Sequence, residues 1–264
     1  MNLLGSFVII PCVNARLFVA LFILQLCQCM QPQYDSSAVP PPSPQTETVS
    51  YGDAIYMPKE LCYLDEIIPG ICVDLKYCGN DNFVGRPING YTTGSRAILR
   101  RDTAEKLALA QQALANQGLA LKVWDAYRPH RAMKDFLAWS RTPDECKKNE
   151  FYPHITKQEI YAHKYISRKS NHSCGLAVDV TLIRLENGEE LDMGGRHDLL
   201  DESSATRYSG LTPEQQENRL LLVRTMAEVG LYNYRKEWWH YSQKREPDCE
   251  RYDFPLLDNL NPAP

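Results

Sequence analysis

The chain is poor in several things that function classes depend on. Across 264 residues it has no basic stripe and no Lys/Arg run, and its formal net charge is only −4. Nucleic acid is therefore an unexpected partner. No internal repeat is visible. No two cysteines stand in a Cys-x-x-Cys spacing, which disfavours a thiolate zinc site. Charge is almost missing from the first 30 residues, where Arg16 stands alone. Apolar content elsewhere is ordinary. The length allows one sizeable core, or at most two small ones.

Residues 1–30 read as a signal peptide or membrane anchor. Leu17 to Leu24 is an apolar run with Arg16 just before it, the pattern of a secretory leader. The region before Arg16 is itself apolar, which is untypical. The whole stretch exceeds the ~20 residues that cross a bilayer, so an uncleaved anchor stays open. Cys27 or Cys29 could carry a lipid, although Leu24-Gln25-Leu26 is a poor context for it. The expectation is an exported, periplasmic or envelope-associated protein. Residues 31–50 form a Pro-rich linker with Pro40, Pro41, Pro42 and Pro44 among Ser, Thr and Gln. Such a segment buries too little to fold and favours an extended spacer. The globular domain is then 51–264.

Six cysteines lie beyond the leader: Cys62, Cys72, Cys78, Cys146, Cys174 and Cys249. Export permits disulfides, and six cysteines allow 15 pairings that sequence does not choose between. Buried free thiols are the competing reading. Cys174 is read as structural.

Periodicity gives the elements. Asp102 to Asn116 reads as a helix capped by Asp102 with Glu105, stopped by Gly118. Leu119 to Asp125 reads as a strand, and Pro129 opens a helix to about Ser140. Gly175 to Ile183 alternates as a strand, with Asp179 opposite the Leu/Val set. Thr212 to Val229 is a helix capped by Thr212 and Gln215, with Gly230 ending it. Leu231 to Ser242 follows as a strand or hairpin arm. Helices alternating with strands and a hairpin-like end indicate α+β: a small antiparallel sheet flanked by helices.

Three segments carry chemistry. They are Ser170-Asn171-His172-Ser173-Cys174-Gly175-Leu176-Ala177-Val178-Asp179, Glu237-Trp238-Trp239-His240 and Trp124-Asp125-Ala126-Tyr127-Arg128-Pro129. Two imidazoles and a carboxylate suit a catalytic zinc that keeps one position for water. A carboxylate three residues before a ligand His is a natural proton shuttle. An Arg could hold an oxyanion. On a flat strand Glu237 and His240 would face opposite ways, so the chain must bend near Trp238. The expected place for Glu237 is the turn leading into that strand.

These segments, with Asp74 to Gly85, resemble the D-alanyl-D-alanine dipeptidase family, which includes the vancomycin-resistance dipeptidases. The resemblance runs from about Asp65 to Tyr241. The wider clan holds D,D-carboxypeptidases and the hedgehog signalling domain, so the resemblance implies a hedgehog/D,D-peptidase-like fold. It implies one zinc per subunit on His172, Asp179 and His240. It implies Glu237 as the general base and Arg128 at the oxyanion. It places Asp198 at the substrate ammonium, Ser170 at the substrate carboxylate and Tyr77 beside the amino end. An aromatic residue usually precedes that Asp in the family, whereas here His197 does, which leaves Asp192 as a competitor. His197 is expected only to line the site.

The implied activity is a zinc-dependent hydrolysis of D-Ala-D-Ala to two D-alanines in cell-wall turnover or salvage. The alternatives are a D,D-carboxypeptidase that trims peptidoglycan stems and a non-catalytic zinc-containing binding module. Carboxypeptidase relatives more often show a His-x-His pair, and a mere binder needs neither Glu237 nor Arg128.

Overall fold

The computed structural model describes residues 56–167, 169–244 and 249–262. The leader, the linker and the first residues of the expected domain lie outside these. No described helix is long and apolar enough to cross a membrane.

The framework is one five-stranded sheet. Its strands are β3 (Cys72–Val73), β5 (Leu119–Asp125), β6 (Ala177–Arg184), β7 (Tyr232–Tyr234) and β8 (Glu237–Ser242), in the order β3-β5-β6-β8-β7. The sheet is antiparallel except at its edge, where β3 runs parallel to β5. Two small pairs complete the strands: β2 (Leu61–Tyr63) with β4 (Ile98–Arg100), and β1 (Tyr56–Met57) with β9 (Asn261–Pro262). The architecture is the expected α+β.

Helix α2 (Arg101–Ala115) packs on β5 and on α6 (Pro213–Glu228), and α6 also meets β6 and β7. Leu107, Ala110 and Leu114 of α2 are fully buried, one helical face apart by three or four residues. Helix α3 (His130–Trp139) buries Met133, Phe136 and Trp139. Short helices α1 (Leu64–Ile67), α4 (Lys148–Phe151) and α5 (Lys157–Ala162) fill the connections.

The caps divide. Thr212 and Gln215 form the expected reciprocal box at α6: Gln215 N–H donates to Thr212 Oγ1, and Thr212 N–H to Gln215 Oε1. Asp102 does not cap α2. The N-cap residue is Arg100, whose side chain makes no capping hydrogen bond to the helix, and Arg100 still pairs with Leu61 in the β2–β4 ladder. The helix starts straight from a strand and leaves no free position for a capping residue.

After β8 the chain returns as a strap over residues 249–262. Cys249 is disulfide-bonded to Cys174. Tyr252 N–H donates to Ser173 O and Leu256 N–H to Gly90 O. Cys62, Cys72, Cys78 and Cys146 are free thiols.

Candidate active site

Strand register assembles the centre. In the β6–β8 ladder Asp179 stands directly opposite His240, and in β5–β6 it stands opposite Asp125. An irregularity between Val123 and Asp125 brings the chain out of β5 toward Arg128. His172 opens a single 3-10 turn, His172–Cys174, just before β6. Gly175 ends that turn at φ +68°. A Cβ there would lie 2.8 Å from Leu61 Cδ2 and 3.0 Å from Arg100 N. Only glycine accepts both the left-handed backbone and the close approach.

Strand β8 supplies the bend that its spacing requires. Across the β7–β8 pair, Asn233 faces Tyr241 while the next residue, Tyr234, faces Glu237. The excess residues on β8 therefore bulge over Trp238–His240. The Asn233 side-chain amide bridges the bulge, lying 3.0 Å from Glu237 O, 3.4 Å from Trp238 O and 3.2 Å from His240 O. Glu237 is the first residue of β8 rather than part of a preceding turn, and it shares a cavity with His240.

Three donor atoms converge. His172 Nε2 lies 3.3 Å from Asp179 Oδ1, His240 Nδ1 lies 2.9 Å from the same oxygen, and the two imidazole nitrogens are 3.1 Å apart. Donors held ~2.0–2.1 Å from one tetrahedral ion stand ~3.3 Å from one another, so the triad has the spacing of a zinc-sized site. His172 Nδ1 is 2.7 Å from Ala126 O. A carbonyl only accepts, so Nδ1 donates there and Nε2 is the ring nitrogen turned toward Asp179 and His240. His172, Asp179 and His240 are the candidate metal cluster found among the described residues.

Around the triad lies a cavity of about 620 Å³, lined by Tyr77, Arg128, Ser170, Asp198 and Glu237 as well as the three donors. Burial, then the negative charges of Asp179 and Asp198, push the Glu237 carboxyl well above the usual carboxylate range, against Arg128 and Lys236. That is the shift expected of a group meant to hold and release a proton. Burial works in the same direction on Asp179, but His172 and the hydrogen bonds of His197 and His240 outweigh it and keep that carboxyl well below its usual range. Burial lowers the His240 imidazole.

Arg128 is aimed by two carboxylates. Its Nε donates to Asp125 Oδ2 at 2.8 Å, and its Nη2 lies 3.4 Å from Asp179 Oδ2. Asp125 is fully buried and also accepts from Tyr91 OH at 2.6 Å. The guanidinium carbon sits 5.0 Å over the Tyr77 ring, a cation–π contact. Tyr77 OH in turn donates to Asp198 Oδ2 at 2.8 Å. Ser170 Oγ accepts from His172 N–H at 3.2 Å.

Asp192 does not reach the cavity. It is exposed and spends its carboxylate on Gly194 N–H and Gln215 Nε2, leaving Asp198 as the acid beside the centre. His197 is not among the residues that line this cavity. Its Nε2 lies 3.3 Å from Asp179 Oδ2, and its ring packs between Trp124 and Trp239. Sequence reading gave no role to Asp125, Tyr91 or Asn233. Asp125 could have been found as an acid inside the Trp-Asp-x-Tyr-Arg-Pro segment; Tyr91 and Asn233 had no motif to mark them.

The family model described as D-Ala-D-Ala dipeptidase (Peptidase_M15) matches residues 57–259. The chain is 40% identical over 196 residues to a D-alanyl-D-alanine dipeptidase of Enterococcus faecium, covering 74% of this chain and 96% of that one. It is 38% identical over 202 residues to one of Streptomyces coelicolor, covering 76% and 100%. To one of Enterococcus faecalis it is 38% identical over 191 residues, covering 72% and 94%. The chain belongs to the D-Ala-D-Ala dipeptidase family of M15 peptidases.

Proposed function

We propose that this protein is a zinc D,D-dipeptidase that hydrolyses D-Ala-D-Ala to two D-alanines. The observation that supports it most is the donor triad of His172, Asp179 and His240 with the buried Glu237 in the same cavity. One zinc per chain is the ion that two imidazoles, a carboxylate and this spacing suit. When bound, zinc supplies a Lewis acid and a water acidified toward neutrality.

The protein groups do the rest. Glu237 takes a proton from the attacking water and delivers it to the leaving amine. Arg128, fixed by Asp125, donates to the oxyanion as the tetrahedral centre forms, a contribution of about 3 kcal/mol for one such donor. Asp198 with Tyr77 receives the substrate ammonium, and Ser170 the carboxylate. A free dipeptide presents both charges to opposite ends of the site.

The apolar leader and the Pro-rich linker support action outside the cytoplasm. The substrate there is dipeptide released in cell-wall turnover, and the role is salvage. The test is D-alanine release by the full chain from D-Ala-D-Ala and from a stem peptide ending in D-Ala-D-Ala, with chelator and zinc add-back. Zinc-dependent cleavage of the dipeptide alone is expected. Preferred cleavage of the stem peptide would make the protein a D,D-carboxypeptidase, and no cleavage of either by zinc-loaded protein would make it a binding module.

A further inference from the structure

Asp198 is reached by an unusual route. It lies in the long connection between β6 and α6, which has little regular structure beyond the turn Glu202–Ser204. Its backbone has φ +61°, a left-handed conformation that costs a non-glycine residue energy and persists only where surroundings impose it. Something must hold the segment from 193 to 205 in shape.

Tyr77 OH fixes the Asp198 carboxylate and Phe151 O the Leu200 N–H, and the side chain that spans the segment from end to end is Arg219, on α6. It is fully buried. Its Nε donates to Met193 O at 2.6 Å, and its Nη1 lies 3.0 Å from Ser203 O and 2.8 Å from Ala205 O. These carbonyls flank Asp198 on both sides in sequence. The neighbouring residues on α6 reinforce the grip: Gln215 Nε2 donates to Asp192 Oδ2 and Asn218 Nδ2 to Asp192 O. Among the described residues no carboxylate forms an ion pair with Arg219. A buried cation whose hydrogen bonds go only to carbonyls is expensive, and an apolar side chain would fill the volume. Burial lowers its pKa to about 10 despite Asp192 and Tyr241, so the cation persists at neutral pH. What the guanidinium adds over an apolar side chain is its fork of donors, which joins three points of one loop.

We infer that Arg219 is a positioning residue for substrate binding: it closes the Met193–Ala205 loop into a ring and so holds Asp198 where it meets the substrate ammonium. This rests on the proposed role of Asp198. Loss of an ammonium contact present in both ground and transition states raises KM and leaves kcat little changed. A purely structural Arg219 would lower Tm and leave KM alone. An Arg219 acting through Trp238, over whose ring its Cζ lies at 5.6 Å, would disturb the adjacent Glu237 and lower kcat.

The experiment measures kcat, KM and zinc content for D-Ala-D-Ala in the zinc-loaded full chain and in Asp198→Asn, Arg219→Met, Arg219→Lys and the double variant Asp198→Asn/Arg219→Met. Arg219→Met is expected to keep zinc and raise KM about tenfold or more, with kcat within about threefold. Arg219→Lys, which lacks the fork, is expected to fall between. The double variant should be no worse than the poorer single one, since both act on one contact. A wild-type KM in Arg219→Met, or a loss confined to kcat, or additive effects in the double variant, would overturn the inference. If Arg219→Met does not fold, Arg219→Lys decides: raised KM supports the role and unchanged KM refutes it. A wild-type KM in Asp198→Asn would instead remove the ammonium role from Asp198 itself, and the inference with it.

Discussion

At the scale of single residues, the site is a set of groups whose charge is set by their neighbours. Glu237 is the clearest case. In the metal-free chain its folded-state pKa is raised by burial and by Asp179 and Asp198, so between the ordinary glutamate range and that raised value the folded metal-free chain holds a proton that the unfolded chain has lost. Stability from this group is present below the ordinary glutamate pKa and is lost as pH rises through the raised value. In metal-free protein, Glu237→Gln should therefore raise Tm at neutral pH, and the difference should vanish on acidification toward the ordinary glutamate range. Calorimetry across that range checks it; a difference that grows toward acid would reverse the sign. His172, Asp179, His240, Glu237 and Arg128 were legible because each stands in a short segment whose chemistry is local. Asp125 stands in one of those segments, three residues from the Arg128 it holds, but Tyr91 lies 34 residues upstream and meets Asp125 only in the folded chain. The choice between Asp192 and Asp198 likewise needed the fold, since both are acids in one loop and only burial separates them.

At the scale of elements, the geometry depends on local departures from regular structure. The β8 bulge lets Glu237 and His240 serve one cavity, and its necessity followed from the odd spacing of the two residues. Its means did not: Asn233, on the partner strand, carries no motif. The missed cap at α2 has a similar cause, because a helix that starts from a paired strand residue has no position for a capping side chain. The turn at His172 is the most exposed to a single change. Gly175→Ala would place a Cβ against Leu61 and Arg100 in a left-handed backbone. The conformation alone costs about 1–2 kcal/mol, before the contacts adjust. A fall in Tm of several degrees, at ~2–4 °C per kcal/mol, and weaker zinc retention on dialysis are expected. Unchanged zinc affinity would show that the turn does not fix His172.

At the scale of the whole molecule, the C-terminal strap ties distant parts together. The Cys174–Cys249 disulfide closes a separation of 75 residues and starts two residues after His172. Chain entropy gives such a loop a stabilisation of up to ~4.5 kcal/mol, equivalent to roughly 10–15 °C in Tm for a domain of this size. Cys174→Ser/Cys249→Ser should show that loss, and reductant should reproduce it in the wild-type chain. An unaltered Tm would mean the strap is held by its hydrogen bonds alone. Six cysteines after an apolar leader made a disulfide reasonable, but the partners became visible only once Tyr252 and Ser173 placed the strap beside the 3-10 turn.

In the proposed mechanism His172, Asp179 and His240 hold a zinc ion while Glu237 handles the proton. Zinc content and D-alanine release measured on one preparation of Glu237→Gln test it most directly. One zinc per chain with turnover reduced at least a thousandfold, about 4 kcal/mol or more in the barrier, is the expected result. Loss of zinc would make Glu237 a ligand, and retained turnover would place the proton-transfer chemistry elsewhere.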